Sequence, residues 1–477
     1  MTADAYMMHK NLRDELNRYI KAQYLGKNAL LLNALSNKLD DEGVLYQTPY
    51  VESTPAYKSV ENGIDILNIP SWLKGFFNEL AEKGLGVYKS PFQHQIDALQ
   101  NAYKGKDLFV STGTGSGKTE CFMWPLLAKI CVEAKTQPDT WANRGVRTII
   151  MYPMNALVSD QISRLRRLIG DPEEKFLHTF QSAVGGLARR PQFGMYTGRT
   201  PYPGSAPTRS EDKKLAESLS RMIRSDDEAT TAFYKELLKD GKIPAKKSLK
   251  RFIETLESGR HVTSEDDAEL ITRFEMQQVC PDILITNYSM LEYMLLRPRE
   301  ENIWSDTSSW LITNPDNKLL FVIDEAHMYK GSSGGEVALL IRRLFHKLSI
   351  TRDKVQFILT TASMPNSSLD DEAAVHEFAK NLTAVTDDGF VYLTGAQEEL
   401  TSGNAFPIPT EKFLQYCLGN SEETEEELTS INRFWSDLEY SKAPFENWSD
   451  ANFWMYQNLA NYDPFYKLFK ACRGSAC

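Results

Sequence analysis

The stretch "LFVSTGTGSGKTECFMW", Leu108 to Trp124, decides the fold. Asp107 to Val110 ("DLFV") reads as a short buried strand. "ECFMWPLLAKICVEA", from Glu120, carries apolar residues at helical spacing. Between them lies "STGTGSGKT", Ser111 to Thr119. Gly113, Gly115 and Gly117 permit backbone angles closed to other residues. Such a loop turns its N–H groups inward around an anion, and the helix that follows adds its dipole. The cradle expected here runs through Thr114, Gly115, Ser116, Gly117, Lys118 and Thr119. Lys118 would reach the β- and γ-phosphates of ATP, and the Thr119 hydroxyl would take a Mg²⁺ position. The pattern G-x-x-x-x-G-K-[ST] departs only at its first place, which is Thr112. The flanking strand and helix distinguish the stretch from a flexible glycine linker.

A site of this kind also needs a carboxylate for the metal. "KLLFVIDEAHMYKG" starts at Lys318, and Leu319 to Ile323 is an unbroken apolar run, as expected of a parallel strand buried on both faces. Asp324, Glu325 and His327 follow at its end, where open α/β sheets bind their ligands. Asp324 would hold Mg²⁺, mostly through water. Glu325 would orient and deprotonate the attacking water. His327 would face the γ-phosphate side and relay to the next motif.

With these two elements about 200 residues apart, the chain resembles the superfamily 2 helicases. "YKSPFQHQIDAL" (Tyr88 to Leu99) resembles their Q-motif, which implies that Gln95 binds the adenine edge and Phe92 packs on the ring. "IIMYPMNALVSDQ" (Ile149 to Gln161) resembles motif Ia, "MYTGRT" (Met195 to Thr200) the TG element, and "DILITNYSMLEYML" (Asp282 to Leu295) motif Ib. "ILTTASMPN" (Ile358 to Asn366) falls where motif III is expected, with Thr361 and Ser363 as the coupling hydroxyls. The wording of "YPMNALVSDQ", "TNYSMLEYMLLRP" and "GGEVALLIRRL" is similar to the bacterial mitomycin-repair helicases and to the large anti-phage helicases of Druantia and DISARM type. The resemblance implies an ATP-dependent DNA helicase or translocase, in defence or repair, with other defence-system subunits as partners. A non-catalytic nucleic-acid-binding subunit and an RNA helicase are the alternatives.

Motifs Ia, TG and Ib each join a strand end to a helix start. Helix N-termini and Thr or Asn side chains hold a sugar-phosphate backbone without reading bases. The candidates are Pro153, Asn155, Ala156, Thr197, Gly198, Arg199, Thr286, Asn287 and Tyr288. Arg164, Arg166 and Arg167 follow motif Ia and could add charge to that track or line a solvated helix face. DNA is favoured over RNA by the resemblance alone.

The fold expected is α/β: a P-loop RecA-like parallel sheet with helices on both faces, plus a helical N-terminal region, a helical insertion and a helical C-terminal segment. Residues 1–87 read as the accessory helical region and 88–386 as the RecA-like domain, with a charged helical insertion near 201–272. Residues 387–477 read as an acidic linker and an aromatic-rich helical segment. No Q-x-x-G-R-x-x-R, the arginine-finger motif of a second RecA-like domain, follows Asp324, so that domain is expected from a longer gene product or another chain.

The 477 residues are 42% hydrophobic and 25% charged, which is ordinary globular composition. No run approaches the roughly 18 apolar residues of a membrane span, and the N-terminus lacks a basic-then-apolar signal layout, so a cytoplasmic protein with no membrane partner is expected. The six cysteines form no C-x-x-C pair, which argues against zinc or iron–sulfur sites. A net charge of −10 excludes a surface coated in basic charge but leaves room for a local basic track.

Overall fold

Eight parallel strands order the computed structural model: β1 (Asp107–Ser111), β2 (Thr148–Tyr152), β3 (Phe193–Tyr196), β4 (Glu269–Leu270), β5 (Ile283–Asn287), β6 (Leu319–Ile323), β7 (Val355–Thr361) and β8 (Phe390–Thr394). They lie in the order β4-β3-β5-β2-β6-β7-β1-β8. The structure describes residues 5–24, 29–41, 43–47, 56–113, 115–186, 188–204, 207–223, 228–362, 369–385 and 389–398, with scattered positions between 428 and 471. Its residues fall into two compact units, 57–396 and a second made of 1–56 with 397–477.

Strand alternation explains why both faces are covered. On β1, Leu108 and Val110 enter one core while Phe109 enters the other. On β6, Leu320 and Val322 face the first core, and Leu319, Phe321 and Ile323 the second. Every residue of β2, β6 and β7 is buried, so the continuous apolar runs are those of central parallel strands. The first core takes the helices Ser71–Glu82, Gln93–Tyr103, Glu120–Thr136 and Lys175–Val184. The second takes Tyr288–Leu296, Glu301–Thr313, Ser332–Leu348 and Leu369–Thr383. This is the P-loop RecA-like sheet with helices on both faces.

Two features differ from the reading by residue pattern. Residue pattern alone makes the stretch after 386 a linker, yet Phe390–Thr394 forms β8 and pairs in register with β1, Val110 opposite Leu393. The helix Ser71–Glu82, read as part of the accessory region, buries Leu73, Phe76, Phe77 and Leu80 in the first core of the sheet unit. In the other unit, the helices Ala5–Tyr24 and Ala29–Leu39 are described, and Asn17 Nδ2 donates to Asp40 Oδ1 at 3.0 Å. The aromatic C-terminal stretch lies largely outside the described residues.

The segment 201–272 folds as the helices Arg209–Ile223, Glu228–Lys239 and Leu249–Glu257 around a small core of its own, including Leu219, Phe252 and Leu256. It closes on the motif-Ia helix, Asn155–Leu168. Arg166 of that helix donates twice to Glu269, both at 2.7 Å. Gly241, at φ +66°, passes so close that a Cβ there would lie 2.2 Å from the Ser163 carbonyl oxygen. Lys246 is buried between Asp267 and Glu275.

At the amino edge of the sheet a buried charge cluster fixes β2 against β5. Asp282 accepts from Arg189 Nη1 and Nη2, both at 2.7 Å, and lies 3.4 Å from Arg147 Nη1. Arg147 is fully buried, holds Glu133 at 2.9 Å and sits over the Trp310 ring at 4.7 Å. Burial by itself would raise the Asp282 carboxyl, but the Arg189 and Arg147 guanidinium charges and the Arg189 hydrogen bonds bring it below the usual carboxylate range. Removing one member leaves uncompensated buried charge. Asp282→Ala should therefore lower unfolding free energy by about 3–5 kcal/mol, measured by denaturant titration. Because folding lowers this pKa, the carboxylate's contribution is complete above the ordinary aspartate value of about 3.9 and disappears as pH falls through the folded-state value. The gap between wild type and Asp282→Asn should narrow on acidification below that value; a gap that widened would assign the cluster no such role.

Candidate nucleotide site and nucleic-acid edge

The Gly-rich loop leaves the carboxyl end of β1, and the helix Glu120–Thr136 begins at its far side. Gly115 and Gly117 stand at φ +75° and +71°, the left-handed region that glycine enters freely. Gly117 also has no room for a side chain, since a Cβ would lie 2.2 Å from Gln95 Nε2. The loop is braced from below. Ser116 Oγ donates to Thr112 Oγ1 at 2.7 Å, His94 Nε2 lies 2.8 Å from the Ser116 carbonyl oxygen, and Gln95 Nε2 donates to the Gly117 carbonyl at 3.1 Å. Thr114 lies outside the described residues.

The acidic strand end reaches the same place through β7, which lies between β6 and β1. Asp324 is 8% exposed and accepts from the Thr360 hydroxyl and, at 2.9 Å, from the Glu325 N–H. Burial pushes the Asp324 carboxyl up; the Thr360 hydrogen bond opposes this and the Glu325 charge adds to it. Glu325 has φ +52°, a left-handed conformation that costs a non-glycine residue roughly 1–2 kcal/mol. Its carboxylate lies 4.0 Å from Lys118 Nζ and 3.4 Å from His327 Nδ1. His327 Nδ1 is 3.0 Å from Thr361 Oγ1, and the Thr361 carbonyl accepts from the Thr112 N–H at 3.1 Å. Thr361 thus links the acidic turn to the loop, while Ser363 lies outside the described residues. Sequence reasoning missed Thr360; its signal was the first hydroxyl of "TTAS", at a strand end.

A cleft of about 470 Å³ opens beside the loop, lined by Tyr88, Phe92, Gln95, Gly117, Lys118 and Arg164 among others. Gln95 is 1% exposed and has both ends of its amide engaged, Oε1 accepting from the Phe92 N–H at 2.9 Å and Nε2 bound to Gly117. Tyr88 and Arg164 were not expected in this cleft. Arg164 reaches it because the motif-Ia helix runs alongside, and its guanidinium bonds Glu120 at 3.3 Å. The residues fit a nucleotide with a divalent cation: an open glycine cradle, a lysine ammonium with no hydrogen bond among the described residues and 4.0 Å from the Glu325 carboxylate, and a buried carboxylate beside a second one. Thr119 stands at the N-terminus of the loop's helix.

The other candidates gather at the carboxyl ends of β2, β3 and β5, which are neighbours in the sheet. Asn287 Nδ2 donates to Asn155 Oδ1 at 2.6 Å, joining motif Ib to motif Ia. Asn287 Oδ1 accepts from the Met290 N–H at 2.8 Å and caps the helix Tyr288–Leu296. Thr197 and Thr286 are buried; the Thr286 hydroxyl donates to the Tyr196 carbonyl at 2.8 Å, and Thr197 Oγ1 accepts from the Arg199 N–H at 3.2 Å. Those hydroxyls shape the turns and do not face solvent. Gly198 and Arg199 are exposed; Pro153, Asn155 and Tyr288 are half-buried, and Ala156 begins the second position of its helix. Arg166 belongs to the Glu269 contact described above and not to this edge.

The chain is 36% identical to the Druantia protein DruE of Escherichia coli (strain UMEA 4076-1), across 98% of this chain and 26% of that protein. It is 30% identical to the ATP-dependent RNA helicase DRS1 of Kluyveromyces lactis across 35% of this chain and 20% of that one. The chain thus spans about a quarter of the length of the first of these relatives. The crystal structure of the DUF1998 helicase MrfA bound to DNA superposes with a TM-score of 0.40 at 18% identity, over 86% of this chain and 44% of that one. The DEAD/DEAH box helicase family matches residues 92–212 and 233–371, more than half of the sequence, and the chain belongs to that family.

Proposed function

We propose that this chain is the ATP-binding motor half of an ATP-dependent DNA helicase or translocase acting in anti-phage defence. The observation that carries the reading is the approach of the Glu325 carboxylate to Lys118 Nζ, 4.0 Å apart though they come from separate strands, beside the glycine cradle and with Asp324 bonded to the Glu325 N–H. The loop N–H groups from Gly115 to Thr119 and the Lys118 ammonium would hold the phosphates. Thr119 and Asp324 would hold Mg²⁺, which when bound neutralises phosphate charge. Glu325 would accept the proton of the attacking water, and its left-handed backbone aims that carboxylate back toward Lys118. His327 and Thr361 would report the state of the site to the loop. Gln95 would act on the nucleotide by holding the loop and Phe92 as much as by touching adenine.

Nucleic acid would run across the carboxyl ends of β2, β5 and β3, held by backbone groups at Pro153 to Ala156, by Gly198 and Arg199, and by Tyr288. The placement in defence rests on the 36% identity to DruE across nearly the whole chain, and DNA as the substrate on the wording of the motifs. Full turnover would need arginine fingers from a second RecA-like domain, a contribution on the order of 10³ to 10⁵ in rate.

Lys118→Ala should abolish binding of a fluorescent ATP analogue while leaving the melting temperature unchanged, because the side chain supports no core packing. Unaltered nucleotide affinity in the folded variant would remove Lys118 from the site. Glu325→Gln should instead keep nucleotide affinity within a few-fold and reduce DNA-stimulated hydrolysis by about 10² to 10⁴. A variant that no longer binds nucleotide would make Glu325 a structural residue.

The Arg199 guanidinium has no ion pair among the described residues and is exposed. Arg199→Ala should weaken single-stranded DNA binding and reduce the slope of log K against log salt by roughly 0.7. Binding measured on homopolymers should show no new base preference, since phosphate contacts position a strand without reading it. An unchanged slope would place the DNA track elsewhere.

A further inference from the structure

The phosphate loop is held from below by His94 and Gln95, but its rising limb is held by a residue from outside every motif. Tyr57 Oη accepts a hydrogen bond from the Gly113 N–H at 2.9 Å. The Tyr57 ring packs against Phe92 and His94, with centroids 5.7 and 5.3 Å away. Phe92 and His94 stack on each other at 5.5 Å and 19°. His94 in turn reaches the Ser116 carbonyl at 2.8 Å. One ring system therefore touches the first glycine of the loop, its middle, and the aromatic wall of the cleft.

The position of Tyr57 is fixed by backbone on two sides. Gln93 N–H donates to the Lys58 carbonyl at 2.9 Å, and Val60 N–H to the Pro91 carbonyl at 2.8 Å. On the other side Lys58 N–H donates to the Ala396 carbonyl at 2.8 Å, just beyond β8. Gly395 makes room for the ring: a Cβ there would lie 2.2 Å from Tyr57 Cε1 and 2.6 Å from Cδ1. Residues 57 and 396 are also the two ends of this unit.

Packing alone would ask only for an aromatic ring at position 57. The hydroxyl goes further. A tyrosine hydroxyl accepts and donates. Here it accepts from a loop N–H, and its own proton has no protein acceptor among the described residues. We propose that Tyr57 is a positioning residue for the phosphate loop: its hydroxyl, on a ring for which Gly395 leaves room, sets the rising limb so that the cradle meets the nucleotide phosphates. The inference rests on the nucleotide-binding reading above, and it assigns a role in the reaction to the segment that precedes the Q-motif.

The test is titration of mant-ADP with Mg²⁺ against the purified chain, with thermal melting in the absence of nucleotide as the control for folding. Wild-type chain should bind the probe; if it does not, the nucleotide reading and this proposal fall together. Tyr57→Phe keeps the ring and should weaken mant-ADP about fivefold, the size of one net hydrogen bond, at an unchanged melting temperature. The loss should be larger for mant-ADP than for mant-AMP, which has less phosphate to place in the loop. Gly395→Ala keeps an ordinary backbone conformation and should weaken mant-ADP at least as much by displacing the ring. In a Tyr57→Ala background Gly395→Ala should have little further effect, because the ring it strikes is gone and only a 3.2 Å approach to Thr112 Cγ2 remains. With wild-type binding established, Tyr57→Phe affinity within twofold of wild type would sink the proposal alone. So would equal losses for mant-ADP and mant-AMP, or additive effects of the two substitutions.

Discussion

The carboxyl end of β7 is the constraint on which the rest of the site depends. Thr360 and Thr361 are fully buried there, between the strand that carries the acidic turn and the strand that carries the glycine loop. Thr360 binds Asp324, and Thr361 binds His327 with its hydroxyl and Thr112 with its carbonyl. Parallel register does the remaining work, since Ile323 lies opposite Leu359 and Ser111 opposite Thr361. A slip of one residue would turn the side chains at the end of either strand to the other face. The Lys118–Glu325 approach is therefore a property of three adjacent strands and not of either motif.

The two edges of the sheet treat charge in opposite ways. At the amino edge, Asp282 is buried among Arg189, Arg147 and Arg144, and the cluster locks β5 to its neighbours. At the carboxyl edge, Lys118 and Glu325 stay 4.0 Å apart with part of each side chain exposed. A satisfied buried pair resists rearrangement, whereas an unsatisfied one has favourable interactions still to make. Rigid charge at one end and unsaturated charge at the other is the electrostatic form of a scaffold carrying a binding site.

Similar logic separates the arginines after motif Ia. Arg164, Arg166 and Arg167 are nearly adjacent in sequence, yet the first two point in different directions. Arg164 reaches Glu120 and the cleft, while Arg166 anchors the 201–272 segment through Glu269. Successive helical positions are about 100° apart, so a run of like residues cannot serve one surface. The lysine at 246 shows the same partition in the insertion: it is buried against two carboxylates, not offered to a polyanion.

Much of the fold and the phosphate loop was legible in the sequence, for local reasons. Glycine spacing, a lysine at a helix start and continuous apolar runs are statements about φ angles, dipoles and burial that hold wherever the segment sits. The acidic turn was legible for the same reason, since "LLFVIDEAH" ends a buried strand on carboxylates. Tertiary structure alone decided the rest. It assigned Gln95 to bracing the loop, enclosed the hydroxyls of Thr197 and Thr286, recruited Thr360 to Asp324, and brought Phe390–Thr394 into the sheet as β8. For Gln95, Thr286, Thr360 and β8 the deciding partner is 22 to 283 positions away, Gly117 from Gln95 and Phe390 from Asp107 being the extremes. Residue type fixes what a side chain can do; only the packing of distant segments fixes which of its groups remain free to do it.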